Sequence, residues 1–372
     1  MKILEICLFS AGQDGVFTRV KNESILLAKK GNQVKIFSSK KVKGSRQLAK
    51  EHDKIGNVEI YRFPTVKGIF SESFMLWPSA FKKAILDYNP DVIIAHCYRH
   101  MHTFLALGAA KQLNCKTFLV THAPFGRSSS RNIFGKIVVW LYDSFIGPRI
   151  LKKYNKIITI SHWEEPYLAQ LGVDKNKIVY IPNGIGEEFF KPTKIKPDKN
   201  KIIYTGRIAP IKNLEVASGA IVISGSDLKY EMFGPAEENY KIFLESKIRG
   251  TNQRIIDESF NKKQQISKLD SSKFFILPSK SEGMPQSLIE AMARGKICIA
   301  SDNQGSSDII KNRVNGFLFR NGDVNDLTHL LKKIQSMDEK ELNKISKNAR
   351  KSVEQFKWSR IIDRLARLIR EN

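Results

Sequence analysis

Two successive series of alternating strand-like and helix-like runs restrict the fold of this chain more than any other feature. In the first series, residues 2–9, 33–38, 58–63, 91–95, 116–121 and 156–160 read as strands, and 20–30, 79–88, 104–113 and 132–153 as helices. The second series opens with a strand at 201–205 and adds strands at 230–233, 274–277 and 297–300, with helices at 213–224, 285–294, 326–336 and 341–356. Apolar strands that alternate with helices are buried on both faces, and a parallel sheet wrapped by helices meets that need. Between the series lies KPTKIKPDKNK, residues 191–201, polar and twice interrupted by proline, which reads as a linker. At 372 residues the chain also exceeds what one hydrophobic core usually serves. Two α/β domains are expected, 1–190 and 191–356, with no internal repeat and no low-complexity tract.

Composition excludes a disordered chain: 42% of residues are hydrophobic and 27% charged. The balance of 62 Lys and Arg against 37 Asp and Glu, a net charge of +25, favours anionic partners: nucleic acid, lipid head groups or phosphorylated substrates. A lysine-rich proteome is the plainer source of the same charge. Cys7, Cys97, Cys115 and Cys298 lie far apart without a C-x-x-C, as expected of reduced core thiols in a cytoplasmic protein. The opening MKILEICLFS reads as a first strand and not as a signal peptide. No apolar run approaches the ~20 residues that a membrane span needs.

The local run richest in chemistry is SEGMPQSLIEAMAR, residues 281–294. It follows the strand 274–277 and the break Pro278-Ser279. Pro285 suits the first turn of a helix and Gly295 the residue past its end. Leu288, Ile289, Met292 and Ala293 share one apolar face at helical spacing. Glu282 then falls in the loop and Glu290 inside the helix. Around Gly283, Met284 and Pro285, the N–H groups of the helix start suit a phosphate. Two acids beside such a site make sense for a phosphate ester with hydroxyls at both ends, because a carboxylate accepts hydroxyl protons. Glu282 would hold a transferred sugar and Glu290 a nucleoside ribose. An amphipathic helix with one exposed and one partly buried Glu is the plainer alternative.

This run resembles the E-x7-E segment of the retaining glycosyltransferases of family 4, where members often read EGxPxxLxEAMAxG. The resemblance extends over nearly the whole chain. It implies the GT-B fold: two Rossmann-like domains facing across a cleft, with the C-terminal helix, 357–372, crossing back to complete the first. The first domain would bind the acceptor and the second the nucleotide sugar. Gly206, Arg207 and Lys212 follow the strand 201–205, at the strand end where open α/β sheets bind ligands. Glycine admits a phosphate closely, arginine offers it a planar fork and lysine a point charge. They resemble the family's G-R-x4-K segment, in which Arg and Lys stabilise the departing nucleoside diphosphate.

Other positions follow from the same likeness. Residues 12–15 stand where the family often carries Gly-Gly. Gly15 would keep a close backbone approach, whereas Asp14, Phe17 and Thr18 depart from the pattern on the acceptor side. His96, His122 and His162 each end a strand of the first domain. His122, in VTHAPFG, resembles the histidine that contacts the transferred sugar, and His96 one nearer the acceptor. His162 reads as structural. Asn183 and Gly184, in YIPNGI, are expected to shape a turn, and Asp308 stands where the family's G-G-x-x-E loop has Glu.

There is no G-x4-G-K-[ST], no G-x-G-x-x-G and no Asp-x-Asp in the sequence. P-loop hydrolysis, a Rossmann dinucleotide cofactor and metal-dependent GT-A chemistry are thereby disfavoured. The reading is a retaining, metal-independent glycosyltransferase with no cofactor. It would move a sugar from a nucleotide-diphospho-sugar to a hydroxyl of a glycan or lipid-linked acceptor in cell-surface polysaccharide or glycolipid synthesis. A GT-B-fold sugar-nucleotide epimerase and a basic nucleic-acid-binding protein are the alternatives. A cytoplasmic location is expected, peripheral on the inner face of the cell membrane if residues 68–83, GIFSESFMLWPSAFKK, and the cluster Lys40, Lys41, Lys43 and Arg46 meet anionic lipid.

Overall fold

The computed structural model describes residues 1–12, 14–66, 75–125 and 133–371. The chain forms two compact units, Met1–Gly184 with Trp358–Asn372, and Ile185–Lys357. The first contains β1 (Lys2–Phe9), α1 (Gly15–Lys29), β2 (Gln33–Ser39), β3 (His52–Ile55), β4 (Val58–Phe63), α2 (Ser79–Tyr88), β5 (Val92–His96), α3 (Met101–Leu113), β6 (Lys116–Val120), α4 (Ile133–Leu141), α5 (Gly147–Leu151), β7 (Lys156–Thr159), α6 (Glu165–Gln170) and β8 (Ile178–Tyr180). The second contains β9 (Asp198–Thr205), α7 (Leu214–Ser224), β10 (Lys229–Phe233), α8 (Glu238–Ile248), β11 (Gln253–Ile256), α9 (Lys262–Asp270), β12 (Ser272–Leu277), α10 (Gln286–Ala293), β13 (Ile297–Asp302), α11 (Gln304–Ile309), β14 (Phe317–Arg320), α12 (Val324–Gln335) and α13 (Glu339–Ser352). The last helix, α14 (Trp358–Glu371), belongs to the first unit.

The first unit's sheet runs β3-β4-β2-β1-β5-β6-β7-β8, parallel except for β3. The second unit's sheet runs β11-β10-β9-β12-β13-β14, parallel throughout. Central strands are apolar because both faces are covered: Ile3, Leu4, Ile6, Ile93, Ile94, Ile202, Ile203, Phe275 and Ile276 are fully buried. In each sheet the strand order reverses once, between β1 and β5 and between β9 and β12. Loops that leave neighbouring strands in opposite directions part at such a point and leave a crevice for a ligand.

Several expected elements shift, each for a local reason. The unit boundary lies before Ile185, not before Lys191. Ile185 N–H donates to Phe356 O, and the carbonyls of Phe189 and Phe190 accept from Arg294 and Arg350, so this stretch is bound to the second unit. Strand β9 begins at Asp198, inside the expected linker, because Asp198 N–H donates to Ser271 O. Helix α1 starts at Gly15, earlier than residue 20, with Asp14 as its cap: Oδ2 accepts the Phe17 N–H at 3.2 Å.

The helix expected over 132–153 runs without interruption from Ile133 to Leu151, but it widens to a π turn in its middle. Its described part is α4, a π-helical turn at Tyr142–Ile146, and α5. Pro148 has no N–H to give the preceding turn, and a Cβ on Gly147 would lie 1.9 Å from Tyr98 Oη, so the backbone widens where Tyr98 presses against it. Residue 132 lies outside the described residues. Pro285 caps α10 rather than entering its first turn, while Gly295, at φ +67°, ends it as expected.

The aromatic and basic segment at 68–83 is only partly surface-exposed where it is described. Residues 68–74 lie outside the described residues. Met75 and Phe81 are fully buried, and Trp77 packs on Phe81 with ring centroids 4.5 Å apart. Met75, Trp77 and Phe81 thus pack in the first unit, whereas Leu76 between them is 59% exposed. In the upstream basic cluster, Lys40 pairs with Glu51 at 2.9 Å and Lys43 lies over the Phe9 ring at 4.7 Å.

Candidate active site

In the second unit, the predicted residues gather at the reversal between β9 and β12. Tyr204 ends inside β9 and its hydroxyl donates to Arg207 O at 2.7 Å, which folds the following loop back over the strand. Gly206, at φ +144°, sits where a Cβ would lie 2.9 Å from Tyr204 Oη, so a side chain is excluded twice, by conformation and by space. Arg207 then projects into solvent and pairs with Glu237 at 2.9 Å, with side chains 60% and 48% exposed. Lys212 closes a short 3₁₀ turn and its Nζ donates to Glu282 Oε1 at 2.6 Å, with side chains 21% and 12% exposed. The cation after β9 and the acid after β12 thus form one sheltered pair.

The Glu282 loop is held from three sides. Lys280 N–H donates to Ile211 O at 2.9 Å. Ser279 O accepts from Asn303 Nδ2 at 2.9 Å, and Asn321 Nδ2 donates to Lys280 O at 2.7 Å. A Cβ on Gly305, in the first turn of α11, would lie 2.5 Å from Glu282 O, so only glycine lets that helix approach so closely. Gly305 was not singled out in the sequence; its place in a loop after a strand was the available signal. Gly283 and Met284 continue the loop to Pro285, and Met284 is buried.

Glu290, inside α10, accepts a hydrogen bond from Gln265 Nε2 at 2.6 Å, and burial raises its carboxyl to about 7 against the effect of that bond and of Lys262. Gln265, on α9, is a further missed residue: it also approaches Thr205 Oγ1 at 3.4 Å and so links Glu290 to the end of β9.

In the first unit, a second constellation lies at the reversal between β1 and β5. His96, the last residue of β5, is fully buried. Its Nε2 meets Glu5 Oε2 at 2.6 Å and its Nδ1 meets His122 Nε2 at 2.9 Å. Burial is the main cause at both groups: it lowers the His96 pKa and raises the Glu5 pKa. Burial also holds His122 well below the usual range, helped by His96 and Arg19. Glu5, Glu23 and His96 bring ligand-type atoms within 4.8 Å of one another, and Arg19, 2.8 Å from Glu23, supplies a positive charge beside them.

His122 and Ala123 both adopt left-handed backbone, at φ +59° and +53°. Glu164 holds this unfavourable turn: its Oε2 accepts from Thr121 Oγ1 at 2.5 Å and Ala123 N–H at 2.9 Å, and its Oε1 from the Ile160 and Ser161 N–H groups at 2.8 and 3.1 Å. Glu164 escaped the sequence reading, although Ser161-x-x-Glu164 carries a capping-box signature. His162 is exposed, pairs with Glu165 and lies over Tyr180. Gly15 opens α1, and a Cβ there would meet nothing within 4 Å, so no neighbour in the chain demands glycine. Gly12 does: it stands at φ +85°, where a Cβ would lie 2.5 Å from Lys43 O.

Two family models match the chain in succession: Glycosyltransferase Family 4 over residues 13–189 and Glycosyl transferases group 1 over residues 186–352. This chain belongs to the family 4, group 1 glycosyltransferases. The glycosyltransferase is similar to the Escherichia coli UDP-Gal:alpha-D-GlcNAc-diphosphoundecaprenol alpha-1,3-galactosyltransferase, with 31% identity over 212 residues, 51% of this chain and 53% of that protein. It spans about half the length of that relative. An uncharacterized glycosyltransferase of Methanocaldococcus jannaschii is 25% identical over 83% of this chain and 85% of its own length. Among solved structures, sucrose-phosphate synthase from Thermosynechococcus elongatus superposes with a TM-score of 0.79 at 18% identity, covering 100% of this chain and 98% of that one. The glycosyltransferase has the GT-B fold. These matches do not favour the epimerase or the nucleic-acid-binding alternative.

Proposed function

We propose that this glycosyltransferase moves a sugar, with retention of anomeric configuration and without a metal ion, from a nucleotide-diphospho-sugar to a hydroxyl of a lipid-linked or polysaccharide acceptor. The observation that carries the reading is the sheltered Lys212–Glu282 pair at the reversal between β9 and β12. As the bond from sugar to phosphate lengthens, negative charge grows on the departing diphosphate and positive charge on the sugar ring. Lys212 and Arg207 offset the first, and Glu282, already oriented by Lys212, stands beside the second. Glu290 takes the ribose hydroxyls, and Gly206 admits the diphosphate to the backbone. His122 contacts the transferred sugar, with its turn fixed by Glu164 and its ring by His96. In same-face displacement the leaving phosphate takes the acceptor proton, so no side chain need serve as base.

The acceptor class rests on the Escherichia coli relative, whose name gives UDP-Gal as donor and a diphosphoundecaprenol-linked sugar as acceptor. The first unit is proposed to receive the acceptor and the second the donor, in cell-surface polysaccharide or glycolipid synthesis. A thermal-shift panel of UDP, GDP and ADP sugars tests donor binding. A donor present at a hundredfold excess over Kd stabilises the fold by about 2.7 kcal/mol. A shift with one nucleotide sugar that is lost in Glu290→Gln supports the reading, and no shift with any of them contradicts it.

A further inference from the structure

Helix α4 has no buried residue, although its sequence, IFGKIVVWL, carries a single charge. Ile133, Phe134, Ile137, Trp140 and Leu141 are between 43% and 78% exposed. Their spacing of three, four and seven residues lays them along one side of the helix. The π-helical turn that follows extends the surface with Phe145 and Ile146, 56% and 49% exposed. Soluble proteins rarely expose a contiguous apolar patch above a few hundred Å² unless something binds it.

Charge selects what covers it. Between Asp91 and Glu164 the sequence holds one acid, Asp143, against ten Lys and Arg. That acid is engaged: Arg99 binds it at 2.5 Å and the Tyr98 hydroxyl donates to it at 3.0 Å. Lys136, Arg149, Lys152 and Lys153, on and just after the helix, are exposed. An apolar strip bearing Trp and Phe, bordered by unbalanced positive charge, matches the interface of an anionic bilayer. No described helix is long and apolar enough to cross a membrane, so the element would lie in the interface plane. Its foot is tied to the candidate site: Arg99 binds Asp143 in the π turn and donates to Pro124 O at 2.9 Å, two residues beyond His122.

We infer that α4 and the turn after it form a membrane-docking element that seats the first unit on anionic lipid and brings the His122 turn to the bilayer surface. Its evidence is exposure and charge; its purpose rests on the lipid-linked acceptor proposed above. The test is co-sedimentation of the full chain with vesicles of three parts phosphatidylcholine to one part phosphatidylglycerol, without donor or acceptor, so that failure of docking and failure of the transferase reading are separate results. Wild type is expected to pellet with these vesicles and not with pure phosphatidylcholine. Phe134→Ser/Ile137→Ser/Trp140→Ser is expected to lower the partition coefficient at least tenfold while keeping the wild-type circular dichroism and melting midpoint. If that variant misfolds, Lys136→Glu/Lys152→Glu/Lys153→Glu serves in its place, with the same tenfold loss expected. Equal recovery on both vesicle types, recovery unchanged in the variants, or a wild-type dimer in sedimentation velocity that the triple serine variant dissociates would overturn the inference.

Discussion

Lys212 meets Glu282 across seventy residues of sequence, and the pair explains why each is needed. Without Lys212 the acid loses the donor that orients it; without Glu282 the ammonium loses its nearest counter-charge. Lys212→Ala and Arg207→Ala are each expected to lower kcat by ~100-fold, the loss typical of one donor to a developing charge. Arg207→Ala should leave the melting midpoint unchanged, because the side chain is exposed and its pair with Glu237 contributes little. Glu282→Gln should act on kcat and Glu290→Gln on the donor KM; steady-state kinetics separates the two. Glu290 also predicts a pH effect on stability. Burial raises its carboxyl from the ordinary 4.5 to about 7 in the folded chain, so between those values the folded chain holds the extra proton. Stability from this group therefore falls as pH rises from about 4.5 to 7 and levels off above. Melting curves of Glu290→Gln should show that slope reduced. At this scale the sequence disclosed Arg207, Lys212, Glu282, His96 and His122 as residues at or after strand ends, because that position is readable from apolar periodicity, and Glu290 as a residue within a helix. It did not disclose the pairings, which depend on how distant strands align. The left-handed turn at His122 was equally hidden, because its support, Glu164, lies far along the chain.

Helices and loops in this protein are set by a few close contacts. Gly305 lets α11 touch the Glu282 backbone, and Gly184 admits the Trp358 ring at the start of α14, where a Cβ would lie 2.4 Å away. Gly184→Ala is expected to destabilise the first unit by about 1–3 kcal/mol, as overpacking does, measured by urea unfolding. Gly305→Ala should lower kcat by displacing Glu282, with a smaller effect on the donor KM. Long periodic elements such as α2 and β4 were readable residue by residue in the sequence. Strand β3, HDKI, was not, because an exposed antiparallel edge strand has no apolar alternation to read. Helices α8 and α9 were missed because polar residues dominate both and few are buried. The long helix at 132–153 was readable from its apolar content, but its π turn was not, because that depends on Pro148 and on the distant Tyr98.

Across the whole molecule, two parallel sheets wrapped by helices were expected from the repeated alternation, and the structure adds one strand-order reversal in each, where the motif residues gather. The excess of positive charge was readable from composition, but its meaning was not. The aromatic segment at 68–83 looked suited to lipid, yet its described aromatics fill the core, while α4, read simply as helix, exposes its apolar face. Burial is decided by which surface the rest of the fold leaves open, and one segment's composition does not carry that information. The proposed chemistry makes one prediction at this scale about metals. If Arg207 and Lys212 offset the leaving charge, chelation by EDTA should change turnover by no more than about twofold. The central claim is best tested by the product itself. The protein should be incubated in EDTA with the nucleotide sugar that gives the thermal shift and with a sugar-diphospho-polyprenyl acceptor, and the new linkage read by proton NMR. The account predicts release of the nucleoside diphosphate in step with a glycosidic bond of the same anomeric configuration as the donor. An inverted linkage, release of free sugar in place of a transferred one, or a reaction that appears only after a divalent metal is added would contradict it.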